Sequence, residues 1–181
     1  MEHSGYTVDD YYALPDEQRV ELIDGVFYDM ASPTVRHQSI SVKVGTQMEN
    51  YVSRKRGKCR VLAGPVDVQL DCDDKTMVVP DIIIVCDPEK MLKDRIMGAP
   101  DFVAEIVSPS SKRRDYVIKA GKYCEAGVRE YWIIDPEMER VIVYDFEADA
   151  APAIYSMKDE VPVQIFAGEL KICFPEDESI V

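Results

Sequence analysis

The spacing of apolar positions changes several times along the chain, and each change marks an element. Ile40, Val44, Met48, Tyr51 and Val52 recur every three or four residues, which draws one apolar stripe down a helix over about Val35–Arg56. Pro33 precedes that helix and Gly57 stops it. Upstream, Arg19–Ile23 and Val26–Met30 flank Asp24-Gly25, a pair that supplies the positive φ values of a two-residue hairpin turn. A short helix is expected near Thr7–Leu14, capped by Thr7 with Asp10 three residues on and ended by Pro15. Arg60–Ala63 and Val66–Leu70 alternate like strand residues, whereas Met77–Cys86 and Phe102–Val107 are almost continuously apolar, as strands covered on both faces are. A helix over about Lys112–Ala126, closed by Gly127, leads into strands at Glu130–Ile134 and Arg140–Phe146. Val161–Phe166 and Leu170–Phe174 are two further strand-like pieces.

In order, the middle reads helix, strand, strand, strand, helix, strand. That order predicts an α/β fold, a mixed central sheet flanked by helices, with an N-terminal hairpin and C-terminal strands. Neither a repeat nor a low-complexity linker interrupts it. The 181 residues are therefore expected to form one domain over residues 1–181, with its core at about 19–146.

Composition narrows the function classes. With 46% hydrophobic and 30% charged residues the chain is too apolar to be disordered. The 21 basic and 34 acidic residues give a net charge of −13, opposite to that of a protein that coats duplexes through phosphate neutralisation. Any nucleic-acid contact must use a local basic surface or a divalent metal. The opening MEHSGYTVDD has neither the basic nor the apolar region of a signal peptide. No apolar run reaches the ~20 residues that span a bilayer, so a cytoplasmic protein without membrane contact is expected. Cys59, Cys72, Cys86, Cys124 and Cys173 form no CxxC pair, and their odd number argues against a disulfide framework; Cys86 and Cys173, in apolar runs, are expected to be buried.

Two acids stand inside apolar strands: Asp81 in VVPDIIIV and Glu105 in FVAEIVSP. A covered carboxylate resists ionisation unless a cation pairs with it. Two brought together raise one another's pKa, and a divalent cation relieves that repulsion. Hard oxygen donors suit Mg²⁺ or Mn²⁺. The alternative for either acid alone is a strand end, solvated or paired with Arg or Lys. On the next predicted helix Asp115, Lys119 and Tyr123 are four apart and share a face. The short SPSSKRRD connection keeps Lys119 near the strand end, where an ammonium can orient a water or stabilise phosphoryl charge. Taken in isolation, Asp115 and Lys119 read as a surface pair worth only ~0.3–0.5 kcal/mol. Glu21 reads either as an added acidic ligand or as an exposed strand residue. His37 reads either as a proton-transfer or phosphate-contacting group or as a solvated histidine near a helix start. Gln38 and Tyr123 carry weaker signals, and Tyr131 and Trp132 are expected in the core. The basic clusters RKRGKCR at 54–60 and KRR at 112–114 read as solvated surface or, for KRR, as a guide for a phosphodiester.

Together these residues carry a resemblance. Asp81 after Pro80, then Glu105 after a hydrophobic strand, resembles the PD-(D/E)xK nuclease superfamily. More closely, the chain is similar to a large family of restriction-endonuclease-like proteins within it. The matching stretches are ELIDG at 21–25, SPTVRHQ at 32–38, VPDIIIV at 79–85, FVAEIVSPSSKRRD at 102–115 and AGVREYWIIDP at 126–136. The resemblance implies a restriction-endonuclease-like fold with an α-β-β-β-α-β core. It implies that Asp81 and Glu105 ligate Mg²⁺ or Mn²⁺, with the Ile106 carbonyl as a further ligand. It departs from the motif at one place: Val107 stands where the motif has lysine, and Lys119, from the following helix, is expected to take that role. The expectation is metal-dependent hydrolysis of nucleic-acid phosphodiesters, most of all DNA, by Asp81, Glu105 and Lys119 with help from Glu21 and His37. A homodimer would supply the two sites of a double-strand cut. The rivals are a non-catalytic nuclease-fold binding or assembly protein, and hydrolysis of a smaller phosphodiester.

Overall fold

The computed structural model describes residues 5–15, 17–70, 74–148 and 150–175. The first of its elements is helix α1 (Val8–Tyr12), where Thr7 and Asp10 form the expected reciprocal cap. Strands β1 (Val20–Ile23) and β2 (Val26–Asp29) make the hairpin, with Asp24 and Gly25 at φ 52° and 73°, as the turn requires. Helix α2 (Val35–Lys55) follows, capped by the Thr34 side chain. Next come β3 (Arg60–Ala63), β4 (Val68–Gln69), β5 (Met77–Val78), β6 (Ile82–Val85), β7 (Ile96–Met97) and β8 (Phe102–Ile106). A π-helical turn (Arg114–Lys119) runs into α3 (Ala120–Ala126). The chain continues with β9 (Glu130–Asp135), β10 (Arg140–Asp145), β11 (Ala153–Ser156), β12 (Val161–Pro162) and β13 (Lys171–Ile172).

The central sheet has six strands in the order β11-β10-β9-β8-β6-β3. Within it β3, β6 and β8 are antiparallel, and β9 runs parallel to β8 after the helical crossover. The sequence α2, β3, β6, β8, α3, β9 is the expected core. A smaller sheet, β2-β1-β5-β4-β7, carries the hairpin. Period-two alternation divides the central strands between two cores. Ile82, Ile84, Phe102, Ala104 and Trp132 pack on Ile40, Val44 and Met48 of α2. Ile83, Val85, Val103, Tyr131 and Ile133 face Tyr123 of α3 and Val68 and Val78 of the smaller sheet. Each fully buried branched side chain of this kind contributes about 1.5–3 kcal/mol, which is what holds the strand ends beneath the site in register. Tyr131 and Trp132 are both fully buried, as expected of core residues.

Several boundaries differ from the expectation. Met77–Cys86 is not one strand: β5 belongs to the smaller sheet and β6 to the central one. Pro80 has no N–H for a ladder, and Val79 donates its own to the Glu21 carboxylate, so the chain changes sheets at Asp81. Val66–Leu70 forms only the two-residue β4. Of Val161–Phe166 only the first two residues pair; Gln164–Phe166 form a 3-10 turn. Helix Lys112–Ala126 is a π turn followed by α3, and β11 was not expected at all. The cysteine reading also needs correcting. Cys59 and Cys86 form a disulfide, because the β3–β6 register that pairs Arg60 with Val85 brings their neighbours together. Cys86 is half-buried and Cys173 is exposed. Cys72 and residues 1–4 lie outside the described residues. Among the described residues no helix is long and apolar enough to cross a membrane.

Candidate active site

A cleft of about 390 Å³ opens where the ends of β6 and β8 meet the N-terminus of α2 and the start of the π turn; Glu21, His37, Gln38, Asp81, Glu105, Ile106 and Lys119 all line it. The antiparallel register pairs Ile82 with Ala104. One further step along both chains brings Asp81 level with Glu105. The Asp81 carboxylate is fixed there by the Ile106 N–H, which donates to its Oδ2 over 2.7 Å. His37 Nε2 lies 3.2 Å from the same oxygen. The Thr34 cap sets the His37 position from below, since its hydroxyl accepts from the His37 N–H.

Glu105 is 4% exposed. Its Oε1 accepts from Lys119 Nζ and from the Tyr123 hydroxyl, each at 2.7 Å. Burial pushes its carboxyl well above the usual carboxylate range; Lys119 opposes that, while Asp115, Asp81 and Glu21 add to it. Lys119 is 2% exposed. It also reaches Glu21 Oε1 at 2.6 Å and Asp115 Oδ1 at 3.7 Å. Burial works against its charge, yet Glu105, Glu21 and Asp115 outweigh that and hold it above the ordinary lysine value. Asp115 is raised by burial in spite of Lys119. The Asp115–Lys119 pair is thus not the surface pair its spacing suggested, because the π turn packs directly on the sheet.

Glu21 is 1% exposed, so it is not an exposed strand residue. It bridges three elements: Val79 N–H and Lys119 meet its Oε1, and Arg114 Nε stands 3.1 Å from Oε2, off the hydrogen-bond direction. Val107 packs with the apolar residues around Tyr123. The ammonium beside Glu105 therefore comes from the following helix and not from the motif position. Of the KRR cluster, Lys112 pairs with Asp135 and Arg114 turns inward to Glu21, while Arg113 stays exposed. All five candidate side chains are thus brought together. Sequence reasoning gave too little weight to Asp115 and Tyr123, although the four-residue spacing through Lys119 carried the signal, and it missed the inward turn of Arg114, which no pattern marked.

Four carboxylates (Glu21, Asp81, Glu105, Asp115) gather here around Lys119 and Arg114. Burial raises the carboxyls of Glu105 and Asp115, and the neighbouring carboxylates add to the rise. Among the described residues no three His, Cys, Asp or Glu side chains converge closely enough to hold an ion by themselves. Two carboxylates and a backbone carbonyl nevertheless fit a Mg²⁺-type ion, which keeps several waters and takes one or two protein carboxylates plus substrate oxygens.

The α2-β3-β6-β8-α3-β9 core, with paired acids at the ends of its central strands, defines a restriction-endonuclease-like α/β protein. A crystal structure from Anabaena variabilis, described as that of "a putative nuclease belonging to DUF820", superposes with a TM-score of 0.76 at 23% identity, covering 92% of this chain and 94% of that one. The family model "Uma2: Putative restriction endonuclease" matches residues 8–177, and the chain belongs to that family. An uncharacterized protein of Synechocystis sp. is 26% identical over 117 residues, which are 64% of this chain. The match spans 58% of the length of that relative.

Proposed function

We propose that this protein is a divalent-metal-dependent nuclease that hydrolyses phosphodiester bonds of nucleic acid, with DNA as the substrate. One observation carries the reading: paired acids at the ends of neighbouring strands, with a buried ammonium 2.7 Å from Glu105. Asp81, Glu105 and the Ile106 carbonyl would hold Mg²⁺ or Mn²⁺. Such an ion supplies a more acidic bound water and charge neutralisation at the scissile phosphate.

The chain's own residues do the rest. Lys119 keeps its proton and positions an attacking water, or meets charge developing on the phosphate. Glu21 and Asp115 fix the ammonium and Tyr123 fixes the Glu105 carboxylate beside it, so that no reorganisation is needed when charge develops. His37 holds Asp81 in place and lines the cleft where a phosphate oxygen would lie. A pair of such chains, as a homodimer, would set two sites for a double-strand cut.

The test is nicking of supercoiled plasmid with Mg²⁺ or Mn²⁺. Wild type should nick, and Asp81→Ala should not; equal nicking by both rejects the reading. A second reading, a nuclease-fold binding module without catalysis, is favoured by Val107 in the motif-lysine position. It predicts nucleic-acid binding with no cleavage under either metal.

A further inference from the structure

Helix α2 links the cleft to a second charged feature that the hydrolytic chemistry does not use. Its first turn carries Arg36 and His37, both in the cleft wall. Arg36, Lys43, Asn50 and Arg54 then recur at intervals of seven, seven and four residues, which places them on one helix face. Glu49, the one acidic residue of the helix, lies on a different face. Past the helix end, Arg56, Lys58 and Arg60 are exposed, as are Lys43 and Arg54. The Arg54 side chain folds back on the Asn50 carbonyl and Arg60 on the carbonyls of Lys58 and Cys59. Lys55 pairs with the Glu169 carboxylate.

This concentration of positive charge stands on a chain of net charge −13. The helix dipole favours cations in its last turn. It accounts for Arg54 and Lys55, but not for Lys43 in mid-helix or for Lys58 and Arg60 beyond it. Arg56 sharpens the point: it occupies the left-handed cap position at φ 50°, where glycine fits better.

Resting on the nuclease reading, we propose that this face of α2 and the loop after it form a track for the phosphate backbone of the nucleic acid that flanks the cleaved bond. The 21 residues of α2 span about 30 Å at ~1.5 Å per residue. Along a duplex axis one strand carries a phosphate every ~3.4 Å, so the distal cluster grips the backbone about nine base pairs along the duplex from the cleft. Local basic charge on an otherwise acidic surface makes affinity depend on substrate length while repelling nucleic acid elsewhere.

The experiment measures binding without cleavage. Fluorescence anisotropy of labelled duplexes is followed in EDTA from about 50 to 200 mM salt, using the full chain and a combined Arg54→Gln, Arg56→Gly, Lys58→Gln variant. Arg56→Gly relieves the left-handed cap, so the variant should melt in urea no earlier than wild type. Wild type should bind a duplex of about 20 base pairs more tightly, and with a steeper salt dependence, than one of about 8. The variant should abolish that length advantage and flatten the slope of log K against log salt by about 0.9 per lost contact, ~2.7 in all, so that its affinity falls about 40-fold less than that of wild type over this salt range. An unchanged slope overturns the proposal, as does a wild type that binds neither duplex. Tighter binding of polyglutamate than of a duplex of equal charge overturns it in favour of an acidic protein partner. Plasmid nicking is read separately: its absence refutes the nuclease reading and leaves the binding result standing.

Discussion

Lys119→Met removes the one cation that touches three buried carboxylates, and the structure sets how large the effect must be. Nζ lies 2.6 Å from Glu21 and 2.7 Å from Glu105, with all three side chains 5% exposed or less. Removing one partner of a buried, hydrogen-bonded ion pair costs about 3–5 kcal/mol, because a charge is left uncompensated in a poorly solvated site. Set against a typical domain stability of about 5–15 kcal/mol, that is a large fraction. Met matches the length of the lysine stem, so lost packing contributes little. The loss should be partly recovered by a second substitution. Glu105→Gln deletes the stranded charge yet keeps an oxygen that accepts from the Tyr123 hydroxyl. The double variant should therefore be more stable than additivity predicts by about 1–3 kcal/mol, although neither variant should nick DNA. Urea unfolding followed by the fluorescence of Trp132, the chain's single tryptophan, gives all four corners of the cycle. If the two single losses add to within about 0.5 kcal/mol, the ammonium and the carboxylate do not compensate one another and the site has been misread.

Other predictions follow from the same geometry. Glu130 is fully buried, accepting from Trp132 Nε1 and from the Ile165 N–H, and burial lifts its carboxyl to about 7 in spite of those bonds. Its folded-state value exceeds the unfolded one, so the folded form binds the extra proton and stability falls as pH rises from about 4.5 to 7, by about 3 kcal/mol. Glu130→Gln should flatten that slope in urea melts at pH 5 and 8; an equally steep slope in the variant rules Glu130 out as its source. Tyr123→Phe removes one donor to Glu105 Oε1 and should lower stability by about 1–2 kcal/mol. It should also slow nicking more than it weakens DNA binding, and a rate equal to wild type would deny Tyr123 any part in positioning.

What the sequence made legible follows from where physics is local. Periodicity located α2, the Asp24-Gly25 hairpin and the apolar strands β6 and β8, because each is written in residues within a few positions of one another. Asp81 and Glu105 stood out because a charge in an apolar strand has to be explained. The break of Met77–Cys86 into two sheets was visible only as Pro80, and its cause, the Glu21 carboxylate taking the Val79 N–H, lies 58 residues away. The same distance problem hid Arg114, whose cluster looked like solvated surface until the hairpin supplied Glu21. The Cys59–Cys86 bond depends on strand register, which a count of cysteines does not contain.

The π turn that presents Lys119 also constrains how the chain can vary. Pro109, Ser110 and Arg113 of the connection that precedes it are exposed, the sort of positions that ordinarily tolerate insertions. Here its length is an angular setting. Adding or dropping one residue between Glu105 and Lys119 would turn the helix by about 100° and swing the ammonium off the carboxylates. Exchanging the exposed side chains of Pro109, Ser110 and Arg113 at constant length would leave it in place. Substitution scanning should therefore find these exposed positions permissive, and single-residue indels should find the loop among the least forgiving segments on the surface.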